Sequence, residues 1–190
     1  MNPRELLVHA IDPVIAVVEG VKPHQLGLPT PCSDYDVRGL INHFAGTAGW
    51  LESMGRRLPP DADDPFGANK DVTTGNWQGL LATRIRAVAA AWDEPSAWEG
   101  SIEDIQMPAA MIGEMALIEL LMHGWDLARA TGQQVDYSNE AAYEAYRFAE
   151  ETAEMGRKMG AYGAEVPVPN SAPAFDRALG LTGRDPNWTP

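Results

Sequence analysis

No internal disulfide can form in this chain. Among its 190 residues there is one cysteine, Cys32, with nothing to oxidise against. A lone thiol fits a reducing compartment, and the expected location is the cytoplasm. Long apolar runs are missing too. The N-terminal stretch MNPRELLVHAIDPVIAVVEG is interrupted by His9, Asp12, Pro13 and Glu19, so it lacks the continuous core of a signal peptide. No segment approaches the ~20 apolar residues of a membrane span. Basic residues are scarce, 14 Lys and Arg against 27 Asp and Glu, for a formal net charge of −13. Such a surface repels nucleic-acid phosphates and anionic membranes and argues against a general DNA- or RNA-binding role. Its plain consequence is solubility. Histidine is sparse as well, four in all, so each can be weighed singly.

What is present is the material of a globular core: 45% hydrophobic and 22% charged residues. Five segments carry helical periodicity. In the first, Asn2 is a cap and Pro3 suits the first helical position, ahead of an apolar stripe of Leu6, Leu7, Ala10, Ile11, Val14, Val17 and Val18. Pro13 inside the stripe should kink or split it. After the Pro-rich loop KPHQLGLPTPCSDYD, with Ser33, Asp34 or Asp36 as cap, the second helix presents Val37, Leu40, Ile41, Phe44, Ala48 and Leu51 and runs to about Arg57. A polar loop follows from about Leu58 to Thr74, and its stretch from Asp61 to Thr74 reads as a lid or substrate wall or equally as a plain connector. The third helix spans roughly Asn76 to Asp93, with Trp77, Leu80, Leu81, Val88 and Trp92 on one side. Residues 94–108 read as irregular or partly extended. The fourth helix runs from about Ala109 to Thr131 and ends at Gly132, and the fifth follows the cap Ser138 to about Met159. A Pro- and Gly-rich tail begins near residue 163, with at most a short helix around Ala174 to Leu179. There is no internal repeat and no strand alternation, so the class is all-α, in one domain over residues 1–190.

The fourth helix concentrates the chemistry. In MIGEMALIELLMHGWDLA, Met111 to Ala128, the groups charged or titratable near neutrality are Glu114, Glu119, His123 and Asp126. A helix apolar nearly all round is a buried one. At about 100° per residue, with Glu119 at zero, His123 falls near 40° and Asp126 near 340°, while Glu114 falls near 220° on the other side. Three polar groups thus share one narrow face of a buried helix, and a buried carboxylate needs compensation from a divalent cation, an Arg or internal pairing. The Glu-x-x-x-His spacing by itself is weak: with 27 acidic residues in 190 and four histidines, about one such pair arises by chance. Glu5 and His9 are a second pair, in the first turns of the first helix, where an acid favours the helix dipole and exposure is expected. His43 lies on the shoulder of the second helix's stripe, alongside Leu40, Thr47 and Trp50, and by itself reads as a core-edge histidine rather than a ligand. His24 sits in a loop with nothing nearby to suggest coordination. Cys32 precedes a helix N-terminus, which favours a thiolate, but its Pro-bounded loop makes packing the simpler role.

These residues carry a family likeness. TPCSDYDVRGLINHFAG resembles the signature around the first metal-binding histidine of the DinB-like, mycothiol-dependent maleylpyruvate isomerase superfamily. ALIELLMHGWDLARATGQ resembles its second signature, a Glu and a His followed by Gly-Trp-Asp. The closing RALGLTGRDPNW resembles the ending of an uncharacterised, mostly actinobacterial metal-binding branch. The resemblance implies a DinB-type four-helix bundle with an additional C-terminal helix, and metal ligation by His43, Glu119 and His123. It implies one divalent ion: two imidazoles and a carboxylate suit zinc with a position left for water or substrate, and nickel is compatible. Asp126 would then orient His123 or hold an Arg, or form a buried structural salt bridge. The maleylpyruvate isomerases carry a further C-terminal domain that contributes to their active site, whereas this chain ends soon after its fifth helix, which counts against the isomerase activity itself.

The resulting expectation is a metal-dependent enzyme, a thiol transferase or isomerase-like, that activates a low-molecular-weight thiol such as mycothiol for transfer or conjugation. The competing readings are a metal-dependent hydrolase and a non-catalytic metal-binding or sensing module. An open coordination position favours the enzyme, and a fourth protein ligand favours the structural ion. The expected partner is a small molecule, with neither nucleic acid nor membrane. A homodimer fits bundles of this type, which often pair through helix faces.

Overall fold

The computed structural model describes residues 1–59 and 70–190. Among these, the chain forms α-helices α1 (Pro3–His9), α2 (Ile11–Gly20), α3 (Val37–Gly55), α4 (Trp77–Trp92), α5 (Ala109–Ala130), α6 (Asn139–Lys158) and α7 (Ala174–Leu181). The all-α expectation holds. Residues 94–108 are short 3₁₀ turns and a two-residue antiparallel ladder, β1 (Ser101–Ile102) against β2 (Met107–Pro108).

The caps are those written in the sequence. Asn2 and Glu5 form a reciprocal capping box on α1. Asp36 accepts from the Gly39 amide at 2.7 Å, and Ser138 from that of Ala141 at 3.1 Å. Pro13 acts as expected, but the break lies three residues earlier, at Ala10, between α1 and α2. A proline ring clashes with the carbonyl four residues before it and cannot donate to it, so the helix restarts just ahead.

Four helical segments close a ring in the order α2, α4, α3, α5, and α6 packs outside, against α5 and α7. Cross-helix bonds set the directions. Arg84 donates to the Ala45 carbonyl at 2.7 Å and the Trp92 indole to that of Leu51 at 2.9 Å, so α3 and α4 run parallel. Parallel neighbours need a long crossover, which is what residues 56–76 supply. The loop read as a lid or connector lies mostly outside the described residues. Its described end is docked beside the future site, with the Val72 amide donating to Asn42 Oδ1 at 2.8 Å.

The core fills the ring. The stripes of α2, α3 and α5 are buried, with Trp92, Phe44, Leu51, Ile85 and Leu117 among its largest side chains. One assignment is corrected: Leu80 is 39% exposed, and α4 buries Ile85 and Ala82 beside Leu81 instead. Trp77, Leu81, Ile85, Val88 and Trp92 follow the 3-and-4 spacing more closely than Leu80 does. Gly124 lets α2 approach α5, since a Cβ there would lie 2.8 Å from Val14 Cγ2 and 2.5 Å from the Tyr137 hydroxyl. Among the described residues no helix is long and apolar enough to cross a membrane.

Candidate metal centre

Three side chains distant in sequence meet where α3 faces α5. His43 stands in the second turn of α3. Glu119 and His123 stand one turn apart on α5, whose surroundings bury sixteen of its 22 residues. His43 Nε2 lies 3.2 Å from His123 Nε2 and 3.7 Å from Glu119 Oε2, and the latter two atoms are 3.1 Å apart. The circle through these three atoms has a radius of about 1.9 Å, so one point can stand at the ~2.1 Å bond length of zinc from all of them. Among the described residues no fourth His, Cys, Asp or Glu joins the group.

The surrounding hydrogen bonds orient the lone pairs inward. Asp126 Oδ2 lies 3.0 Å from His123 Nδ1, so that nitrogen carries the proton and donates it to the carboxylate. His123 Nε2 is left with a lone pair facing the cluster. His43 Nδ1 faces the Tyr35 hydroxyl at 3.4 Å, and the Tyr35 ring stacks on the imidazole at 5.0 Å; with Nδ1 donating to that hydroxyl, Nε2 is likewise left with a lone pair. Glu119 Oε2 is fully covered and has no hydrogen-bond partner of acceptable geometry. Two imidazole nitrogens and an orphaned carboxylate oxygen therefore face one another, an arrangement that a proton or a cation must reconcile. The donor set fits a borderline-soft divalent ion.

With protons alone, the electrostatics answer by charging the imidazole. Burial disfavours the His123 imidazolium, but Glu119 beside it and Asp126 behind it outweigh that cost and push its pKa up to about 9. Glu119, despite its own burial, is held well below the usual carboxylate range by His123 and His43. Asp126 is fully buried and likewise lowered, with Arg184 as the chief opposing influence to burial.

Asp126 combines two of its expected roles. It orients His123, and it also receives Arg184, Nε to Oδ1 at 2.9 Å and Nη2 to Oδ2 at 2.8 Å. Sequence reasoning foresaw an Arg at Asp126 without naming it, and it missed Tyr35. The signals were the Tyr of CSDYD and the Arg of LTGRDP, which lie inside quoted segments but share no helical face with the ligands. Glu114 points elsewhere, as its wheel position requires, and pairs with Arg147 at 2.9 Å.

The other candidates stay apart. Glu5 is occupied in the cap of α1 and His9 is exposed at that helix's end. His24 is exposed in a 3₁₀ turn. Burial pushes the Cys32 thiol up to about 11, so it is a protonated thiol at neutral pH and a poor nucleophile.

Comparison with known proteins gives the family. Two curated relatives from Mycobacterium tuberculosis are each 31% identical over 193 residues, covering 97% of this chain and 98% of the relative. They are the uncharacterized protein MT0763 of strain CDC 1551 / Oshkosh and the uncharacterized protein Rv0738 of strain ATCC 25618 / H37Rv. No solved structure gives a significant match. Residues 7–128, which include His43, Glu119 and His123, match the model of the mycothiol maleylpyruvate isomerase N-terminal domain, and the chain belongs to that family.

Proposed function

We propose that the chain binds one divalent metal ion through His43, Glu119 and His123 and uses it to activate a low-molecular-weight thiol of the mycothiol type for transfer or conjugation. One observation carries the metal: a covered carboxylate oxygen without a hydrogen bond, facing two imidazole nitrogens at 3.1 and 3.7 Å. The thiol enters through the family, whose name links it to mycothiol. Zinc suits the donors, and nickel is an acceptable alternative.

The chain's own residues divide the work. Glu119 supplies one negative charge against the ion's two, leaving net positive charge to attract an anionic sulfur. His43 and Glu119 keep 29% and 25% of their side-chain surface exposed, while His123 keeps 7%, so an incoming ligand would approach from the side of the first two. Tyr35 and Asp126 hold the two imidazoles in their orientations. A metal-bound thiol is deprotonated near neutral pH and is then the nucleophile. The absence of a fourth protein donor among the described residues favours this open arrangement over a purely structural ion.

The test is metal content followed by thiol binding. The purified chain should hold about one ion per molecule through dialysis, and Glu119→Gln and His43→Ala should lose most of it. The cobalt-loaded parent should develop a sulfur-to-metal charge-transfer band when mycothiol or a related thiol is added. Full metal retention by His43→Ala sinks the ligand set, and a loaded protein without the band sinks thiol activation and leaves hydrolysis as the alternative.

A further inference from the structure

We infer that Arg184 is a positioning residue for the metal centre: by gripping both oxygens of Asp126 it fixes the imidazole of His123, which makes the C-terminal turn part of the site. The inference rests on the metal-binding reading above.

The geometry is a three-part relay. Arg184 presents a planar fork to both oxygens of the carboxylate, at 2.9 and 2.8 Å, and Oδ2 also accepts from His123 Nδ1 at 3.0 Å. A carboxylate held at one oxygen by a single donor can swing about its broad terminal torsion. Held at both oxygens by a guanidinium, its plane is set, and with it the direction from which Oδ2 receives the imidazole proton. The other neighbours of the His123 ring are Glu119 Oε2, 3.1 Å from Nε2, the Phe44 ring at 5.8 Å and the His43 ring at 4.9 Å, so Asp126 is the partner that sets Nδ1. Arg184 also balances the charge of Asp126, which has no exposure at all.

Arg184 reaches this place because of how the tail turns. Its amide donates to the Leu179 carbonyl at 2.8 Å, closing the end of α7. The turn passes through Gly183 at φ +88°, where a Cβ would lie 2.6 Å from Gly163 Cα. Only glycine allows both the left-handed backbone and that approach. The side chain then crosses 58 residues of sequence to Asp126 and is 7% exposed. Docking of the turn and affinity for the ion are therefore coupled, and the coupling is reciprocal.

A purely structural anchor would look the same in still geometry, so the test is a cycle on zinc affinity, measured by chelator competition on the full chain. Arg184→Met and Asp126→Asn should each weaken zinc binding by roughly tenfold to a hundredfold, the usual effect of losing a ligand's supporting partner. The double variant should bind no more weakly than Asp126→Asn, because Arg184 acts only through Asp126. Arg184→Lys, which keeps the charge but not the fork, should fall between parent and Arg184→Met. Zinc should also slow amide hydrogen exchange across residues 179–184 in the parent. A folded Arg184→Met with parental zinc affinity overturns the inference, as do single losses that multiply in the double variant. Should Arg184→Met fail to fold, Arg184→Lys decides: parental affinity there overturns the fork's role, and a weakened affinity rescued by no buffer change upholds it. A parent that binds zinc while Arg184→Met is unaffected leaves the metal reading standing, and a parent that binds no ion overturns both.

Discussion

Alkali should destabilise the metal-free protein and leave the metal-loaded protein nearly unchanged. In the metal-free chain His123 holds a proton up to pH about 9, because Glu119 and Asp126 outweigh its burial. An unfolded histidine releases that proton near pH ~6.5. Between these values the folded state binds more protons than the unfolded state, so stability falls as pH rises. The contribution is fully present below about pH 6.5 and gone above about pH 9. Over the interval it amounts to about 3 kcal/mol. The metal-loaded chain has no such proton to lose, since the ion takes the place of the proton on Nε2 and cannot bind while that proton remains. Its affinity should instead rise by about tenfold per pH unit from pH ~7 to ~9 and level off beyond. Glu119 adds no proton of its own to this exchange, being already ionised there. Two measurements check it. Across that range the unfolding temperature should fall with pH for the chelator-treated protein and stay nearly flat for the zinc-loaded protein, because the gain in affinity offsets the lost proton. Calorimetry at neutral pH in buffers of different ionisation enthalpy should show about one proton released per ion bound. Affinity independent of pH with no proton release would refute the assignment of His123 as the proton-bearing ligand.

Three further outcomes are expected. His9→Ala should leave zinc stoichiometry and affinity unchanged by the same chelator competition, because His9 is exposed and Glu5 is engaged in the α1 cap. Cys32→Ser should keep both the bound ion and the thiol-induced charge-transfer band, since a thiol raised to about 11 is not the nucleophile; loss of the band in a folded variant would make it one. Gly124→Ala should lower the unfolding temperature, as a Cβ 2.5 Å from the Tyr137 hydroxyl and 2.8 Å from Val14 must be accommodated. That overpacking, about 1–3 kcal/mol, outweighs the gain of about 1 kcal/mol in helix propensity. An unchanged or raised melting temperature would show that α2 and Tyr137 yield freely.

Local order was legible in the chain because it depends on neighbours in sequence. Apolar spacing marked α2, α3 and α5, Asp36 and Ser138 marked where helices begin, and Gly132 marked where one ends, at φ +71°. The face shared by Glu119, His123 and Asp126 followed from helical pitch alone, as did the separation of Glu114. Periodicity could not say that His43 belongs with them. A half-buried histidine on a helix shoulder has the same spacing whether it ligates or packs, and its partner lies 80 residues away. The family signatures joined the two helices on paper; the packing of α3 on α5 brings Nε2 within 3.2 Å of its counterpart. Arg184 was hidden for the same reason and more completely. It lies in a tail whose irregular composition carries no period, and its role depends on the turn at Gly183, which aims it at a carboxylate 58 positions earlier. Sequence determines which faces must be buried, because burial of a helical stripe is a local pattern. Which buried charges meet is decided only in three dimensions, where a carboxylate's cost is set by the partners the fold delivers to it.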